Sequence, residues 1–153
     1  MGQYIAPLRD IQFVLHELLH VEDELKQMPK HAEVDADIIN QVLEEGAKFT
    51  SGILFPLNHS GDREGCHRDN TTHEVTTPKG FKEAYKQYVE AGWPSLSCDP
   101  EYGGQGLPFV LNNSFLEMMN SANQAWSMYP GLSHGAYECL HEHGTAEQKG
   151  LYL

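Results

Sequence analysis

The sequence predicts an all-α fold, an orthogonal bundle of about five to six helices in one domain. Three observations lead there. Apolar residues recur at three- and four-residue spacings over most of the chain. Proline, glycine and capping residues punctuate those stretches where helices start and stop. At 153 residues and 40% hydrophobic content, the chain is long and apolar enough for one core.

Residues 9–28 carry Ile11, Val14, Leu15, Leu18, Val21 and Leu25 on one helical face, and Pro29 ends that helix. A second helix is expected over about 35–55, capped by Asp35 or Asp37 and stopped by Pro56. Its apolar positions are Ile38, Val42, Ala47, Phe49, Ile53 and Leu54. Residues 58–77 read as a polar loop, with His73–Thr77 briefly extended. Thr77-Pro78 reads as a helix start, with Phe81, Tyr85, Tyr88 and Val89 on one face and Gly92 as the stop.

The stretch 91–108 holds four glycines and three prolines and is read as a shaped loop setting the angle between two helices. Pro108 then opens a helix with Phe109, Phe115, Leu116, Met119 and Ala122 inward. Pro130-Gly131 interrupts it, and a further helix over about 131–143 buries Leu132, Ala136, Tyr137 and Leu140 and ends at Gly144. Thr145-Ala146-Glu147-Gln148 is a capping box. A helix announced there and abandoned at Leu153 suggests a truncated polypeptide.

Bulk charge excludes some partners. A net charge of −12 leaves no basic surface for nonspecific nucleic-acid or anionic-membrane binding. Apolar runs fall short of the roughly 20 residues that cross a bilayer, and residues 1–7 resemble no signal peptide. Ala6 stands where a myristoylation motif needs Ser or Thr. Cys66, Cys98 and Cys139 are odd in number and widely spaced, which fits a reducing, cytoplasmic setting.

Several residues invite a chemical reading. His16-Glu17-Leu18-Leu19-His20 matches the zinc-peptidase pattern, in which His16 and His20 would hold the metal and Glu17 would activate water. No third ligand follows at a known spacing, and that face points to solvent, so no metal site is assigned. Tyr102–Gly106 lacks both the lysine of a P-loop and a preceding strand, so it is read as a turn. His141 and His143 diverge on a helix and suit its C-terminal dipole. Cys66-His67 is a weak metal candidate. Cys139 is expected buried, and Asp62, Glu64 and Asp69 solvated. No Ser-His-Asp or Cys-His arrangement is legible.

The 91–108 loop, with Gly92-Trp93, Pro100-Glu101-Tyr102-Gly103-Gly104 and Gly106-Leu107-Pro108, resembles the N-terminal helical domain of the acyl-CoA dehydrogenases. Three further stretches are similar in order: Tyr4–Leu15, Leu57–Gly65 with Thr77–Tyr85, and His143–Leu153. Together they span essentially the whole chain and look most like the 3-(methylthio)propanoyl-CoA dehydrogenase-like subgroup.

The resemblance implies α,β-dehydrogenation of an acyl-CoA thioester to a 2-enoyl-CoA, with FAD as cofactor and an electron-transfer flavoprotein as electron acceptor. It implies a middle β domain and a C-terminal helical domain beyond Leu153. Those domains would supply most flavin contacts and the catalytic base, so no catalytic residue is assigned here. By position in the family pattern, Ser127, Met128, Tyr129, Gly131 and His134 fall where relatives wall the acyl pocket. Alone, the chain is expected to be inactive. The other readings are a stand-alone helical interaction or homo-oligomerisation module, and, more remotely, the zinc peptidase at His16, Glu17 and His20.

Overall fold

The computed structural model describes residues 2–153 and is all-helical apart from one short hairpin. Helix α1 runs Leu8–Gln12 and continues as a π turn, Phe13–Leu18. It does not reach residue 28. His20 takes a left-handed conformation at φ 50°, and a separate helix α2, Val21–Lys26, follows it. The π turn widens the helix by one residue per turn. Ile11, Leu15, Val21 and Leu25 therefore still reach the core, while Val14 and Leu18 are exposed.

Helix α3, Ala36–Phe49, starts where predicted, with the Asp35 carboxylate accepting from the Ile38 N–H at 2.9 Å. Pro56 does not stop it. A π turn at Thr50–Leu54 leads directly into α4, Phe55–Glu64, where Pro56 occupies the first turn and its missing N–H breaks no ladder bond. The expected loop at 58–64 is therefore helical. Gly61, a turn signal in sequence, instead supplies room: a Cβ there would lie 2.6 Å from the Phe81 ring.

Strands β1, His67–Arg68, and β2, Val75–Thr76, pair antiparallel, which places the expected extended stretch. The acidic loop is not merely solvated. Asp69 accepts the N–H groups of Thr71 and Thr72, and Glu64 accepts that of Lys79. Helix α5, Phe81–Glu90, begins three residues later than Thr77-Pro78 implied, after Gly80 in a left-handed conformation. Its inward residues are Ala84 and Tyr88, and Val89 is exposed.

The shaped loop forms two 3-10 turns, Trp93–Ser95 and Pro100–Tyr102, with Gly92, Gly103 and Gly106 all at positive φ. Gly104 passes so close to the Cys98 backbone that a Cβ would sit 2.0 Å from its carbonyl oxygen. Ladder-like bonds from Gln105 to Ser95, Gly106 to Cys98 and Leu107 to Leu96 close the loop on itself.

Helix α6 spans Phe109–His143 and packs on α3, the second π turn and α4. Its break is at Asn123 (φ −161°, ψ 84°), not at Pro130-Gly131. Pro130 lies within the second arm. Asn123 is 1% exposed. Its side-chain oxygen accepts from the Trp126 N–H at 3.1 Å, an N-cap for the second arm. Its amide donates to the Leu54 carbonyl at 3.2 Å, tying the break to the second π turn. Helix α7, Ala146–Tyr152, carries the predicted capping box, with both bonds between Thr145 and Gln148 formed.

The core is built from Ile39, Leu43, Leu54, Leu111, Phe115, Met118 and Trp126. Phe115 stacks on Trp93 with ring centroids 4.0 Å apart, so the loop is fastened to α6 by aromatic contact. On α6, Phe109, Leu132 and Ala136, all expected inward, lie exposed. Phe109 and Leu132 are 52% and 79% exposed.

Replacing Asn123 with alanine removes both the cap and the Leu54 tie, and should cost about 2–4 kcal/mol in urea unfolding. Asn123→Ser, which restores only an acceptor for the Trp126 N–H, should recover part of that loss. Gly104→Ala should destabilise more than Gly103→Ala despite the positive φ at Gly103, because the Gly104 obstacle is backbone and cannot turn aside.

Candidate substrate-facing site

The break at Asn123 decides where every residue after it points. Of the five sequence-predicted wall residues, Ser127 lies inside, 1% exposed, with its hydroxyl donating to the Asn120 side chain and the Gln124 carbonyl. Met128 and Tyr129 are exposed, and the Tyr129 ring stands edge-on to Tyr85 at 5.1 Å. Gly131 and His134 turn to the other flank, beside Pro94, Asn112 and Leu116 around a 60 Å³ cavity. His134 stacks on Phe109 and contacts Glu138 at 3.4 Å. The structure therefore does not gather the five around one cavity. It strings them along an arm whose outer ridge is Met128, Tyr129 and Leu132.

The shaped loop is locked to this arm. The Asp99 N–H donates to the Tyr137 hydroxyl at 2.7 Å, and the Asp99 carboxylate lies 3.5 Å from His141 and 3.9 Å from Lys30. The Glu101 N–H held by that carboxylate, and then the Lys30 ammonium and the hydrogen bond from the His141 ring, keep it below the usual carboxylate range. Burial pushes the neighbouring Cys98 thiol up. His141 is thus a loop anchor, while Cys139, expected inside, is exposed because its helix face has no cover among the described residues.

The His-Glu-x-x-His stretch loses its metal geometry to the helix break. His20 sits in the left-handed residue after the π turn, off the helical face of His16. The His16 ring bonds to Glu22 and Asn40, fastening α1 to α2 and α3. Glu17 pairs with Arg9 at 2.7 Å. Among the described residues no three His, Cys, Asp or Glu side chains cluster as metal ligands, and no helix is long and apolar enough to cross a membrane.

Sequence reasoning missed a second concavity. Phe81 and Tyr85 on α5 face Ala125, Trp126 and Tyr129 on the second arm around a 410 Å³ cavity, edged by Cys66, Thr77 and Lys82. The i, i+4 and i, i+3 aromatic pairs were visible in sequence. Their meeting was not, because it requires the break at Asn123.

The comparisons agree with this architecture. Residues 66–153 match the family model for the acyl-CoA dehydrogenase N-terminal domain. The chain is 37% identical over 98% of its length to 3-methylmercaptopropionyl-CoA dehydrogenase of Ruegeria pomeroyi. It is 32% identical over 97% to broad-specificity linear acyl-CoA dehydrogenase FadE5 of Mycobacterium tuberculosis, and 29% over 98% to butyryl-CoA dehydrogenase of Syntrophomonas wolfei. The chain belongs to the acyl-CoA dehydrogenase family. It spans about a quarter of the length of these curated relatives. All three are dehydrogenases, so neither the peptidase nor the stand-alone module gains support from them.

Tyr88 gives the core a pH signature. Burial pushes its hydroxyl well above the ordinary tyrosine range, with Tyr85 and Cys98 adding to the effect. The folded chain then keeps a proton that the unfolded chain releases above pH ~10. That contribution to stability is complete below pH ~10 and is lost as pH climbs toward the raised native value. Urea midpoints measured across this range should fall less steeply for Tyr88→Phe than for the parent chain.

Proposed function

We propose that this chain acts as the N-terminal helical domain of an FAD-dependent acyl-CoA dehydrogenase, an oxidoreductase that converts an acyl-CoA thioester to its 2-enoyl-CoA. The observation that carries the reading is the outer ridge of the second arm. Met128, Tyr129 and Leu132 are 66%, 67% and 79% exposed on a helix that starts from a buried, doubly bonded asparagine. Apolar side chains held out from a rigid element suit a wall for an apolar substrate. On the other flank of the same arm Gly131 presents no side chain, leaving room for an acyl chain.

The residues present fit the apolar end of such ligands and not their diphosphates. Between Lys86 and Lys149 the chain has no lysine or arginine. That stretch can offer an acyl chain or a flavin ring a dry surface, but no side-chain cation for a phosphate beyond a protonated histidine. In this reading a bound FAD would supply the hydride acceptor for the β-hydrogen, and a carboxylate would serve as base for the α-proton. Both the base and the principal flavin contacts are assigned outside these 153 residues. What the chain itself does is exclude water along the ridge that starts at Met128 and leave room for the acyl chain on the flank of Gly131 and His134, with Ser127 fixing their helix from inside.

The electron acceptor in this reading is an electron-transfer flavoprotein, and the working form is a homo-oligomer. Its free cysteines suit a reducing, cytoplasmic setting.

A chimera tests the proposal. This chain, replacing the matching N-terminal quarter of the Ruegeria pomeroyi relative, should give a yellow enzyme that oxidises acyl-CoA. Gly131→Trp in that chimera should raise KM for longer acyl chains at least about tenfold, the fold-change expected when a bulky ring fills pocket space. The 153-residue chain alone should be colourless and should not oxidise acyl-CoA. A flavin-loaded chimera indifferent to Gly131→Trp would remove the wall assignment, and turnover by the isolated chain would overturn the division of labour.

A further inference from the structure

The 410 Å³ cavity between α5 and the second arm of α6 lies on the flank away from Gly131 and His134. Its volume falls within the range of small-molecule pockets. Four aromatic residues line it: Phe81, Tyr85, Trp126 and Tyr129. They brace one another, with Tyr85 6.3 Å from Trp126 and 5.1 Å from Tyr129, and the Trp126 indole N–H donating to the Phe81 carbonyl. Such a frame needs little ordering when a ligand arrives.

Two polar groups on its edge are unused. The Thr77 hydroxyl is buried without a hydrogen-bond partner. Such a group costs about 1–3 kcal/mol unless something satisfies it. Lys82 is exposed and has no carboxylate partner among the described residues, although acidic residues outnumber basic ones 22 to 10. An unpaired cation and an orphan hydroxyl beside an aromatic cleft call for a ligand with an apolar body and one anionic head.

We propose that this cleft binds a small monocarboxylate with an aromatic or compact alkyl body, its carboxylate held by Lys82 and Thr77 and its body between Tyr85, Trp126 and Tyr129. The site shares only Tyr129 with the proposed acyl wall, and it does not depend on flavin or on the dehydrogenase reading.

Cys66 reports on it, since this exposed thiol lies on the cavity edge, and the exposed Cys139 lies elsewhere as an internal control. The experiment is thiol alkylation of the 153-residue chain, followed peptide by peptide, with 3-phenylpropanoate as probe. Saturating probe should slow alkylation of Cys66 at least about fivefold and leave Cys139 unchanged. Lys82→Gln should weaken protection about tenfold, the usual scale for losing a charged hydrogen bond. Thr77→Val should weaken it several-fold while leaving urea stability equal or higher, because it deletes an idle buried hydroxyl. The primary amide of the probe should protect at least about tenfold less well.

Failure of the acid to protect Cys66 overturns the proposal. So does equal protection by the amide, which would make the cleft a nonspecific apolar sink. Protection by the CoA thioester of the same acid, with none by the free acid, assigns the cleft to thioester binding and overturns it too.

Discussion

One buried side chain holds the domain's geometry. Asn123 donates to a carbonyl at the end of one helical rod and accepts from the first turn of another. Without that pair, the 35 residues of α6 would have no reason to bend where they do. The energetic logic is asymmetric. A satisfied buried amide contributes modestly, whereas an unsatisfied one is costly, so the two bonds specify the bend more than they stabilise the fold. Downstream of it lie the Met128–Leu132 ridge, the Tyr129–Tyr85 contact and the anchoring of the loop by Tyr137 and His141.

The shaped loop is the second fixed point. Trp93 stacked on Phe115 holds its first half, and the Asp99–Tyr137 bond holds its second. It therefore touches both arms of α6, on either side of the bend. Its glycines serve its own closure, with Gly104 against the Cys98 carbonyl as the tightest passage. A loop braced on both arms limits how far the bend at Asn123 can open.

What sequence could reveal divides along a physical line. Features closed within four residues were legible: the Asp35 cap, the Thr145–Gln148 box, the Gly92 stop. So was the family, because its motifs are spread over the chain in order. Features set by a partner far along the chain were misplaced. Gly61 reads as a turn until Phe81 is seen lying against it. Pro56 and Pro130 read as breaks, yet the first sits in a helix's opening turn and the second follows a cap already made by Asn123. Both π turns shift the helical register by a residue, and no local composition announces them. The five wall candidates were read as straddling a break at Pro130-Gly131; all five lie on one arm after Asn123, and which flank each faces depended on a bend that periodicity put seven residues late.

The absence of lysine and arginine between Lys86 and Lys149 has a further consequence. A trypsin-like protease has no cleavage site anywhere in the shaped loop, the bend or either arm of α6. Its points of attack are confined to the chain up to Lys86, in α1 to α5 and the segments joining them, and to Lys149. Residues 87–149 thus form a single trypsin-silent block, and digestion would separate it whole from the helices that brace it.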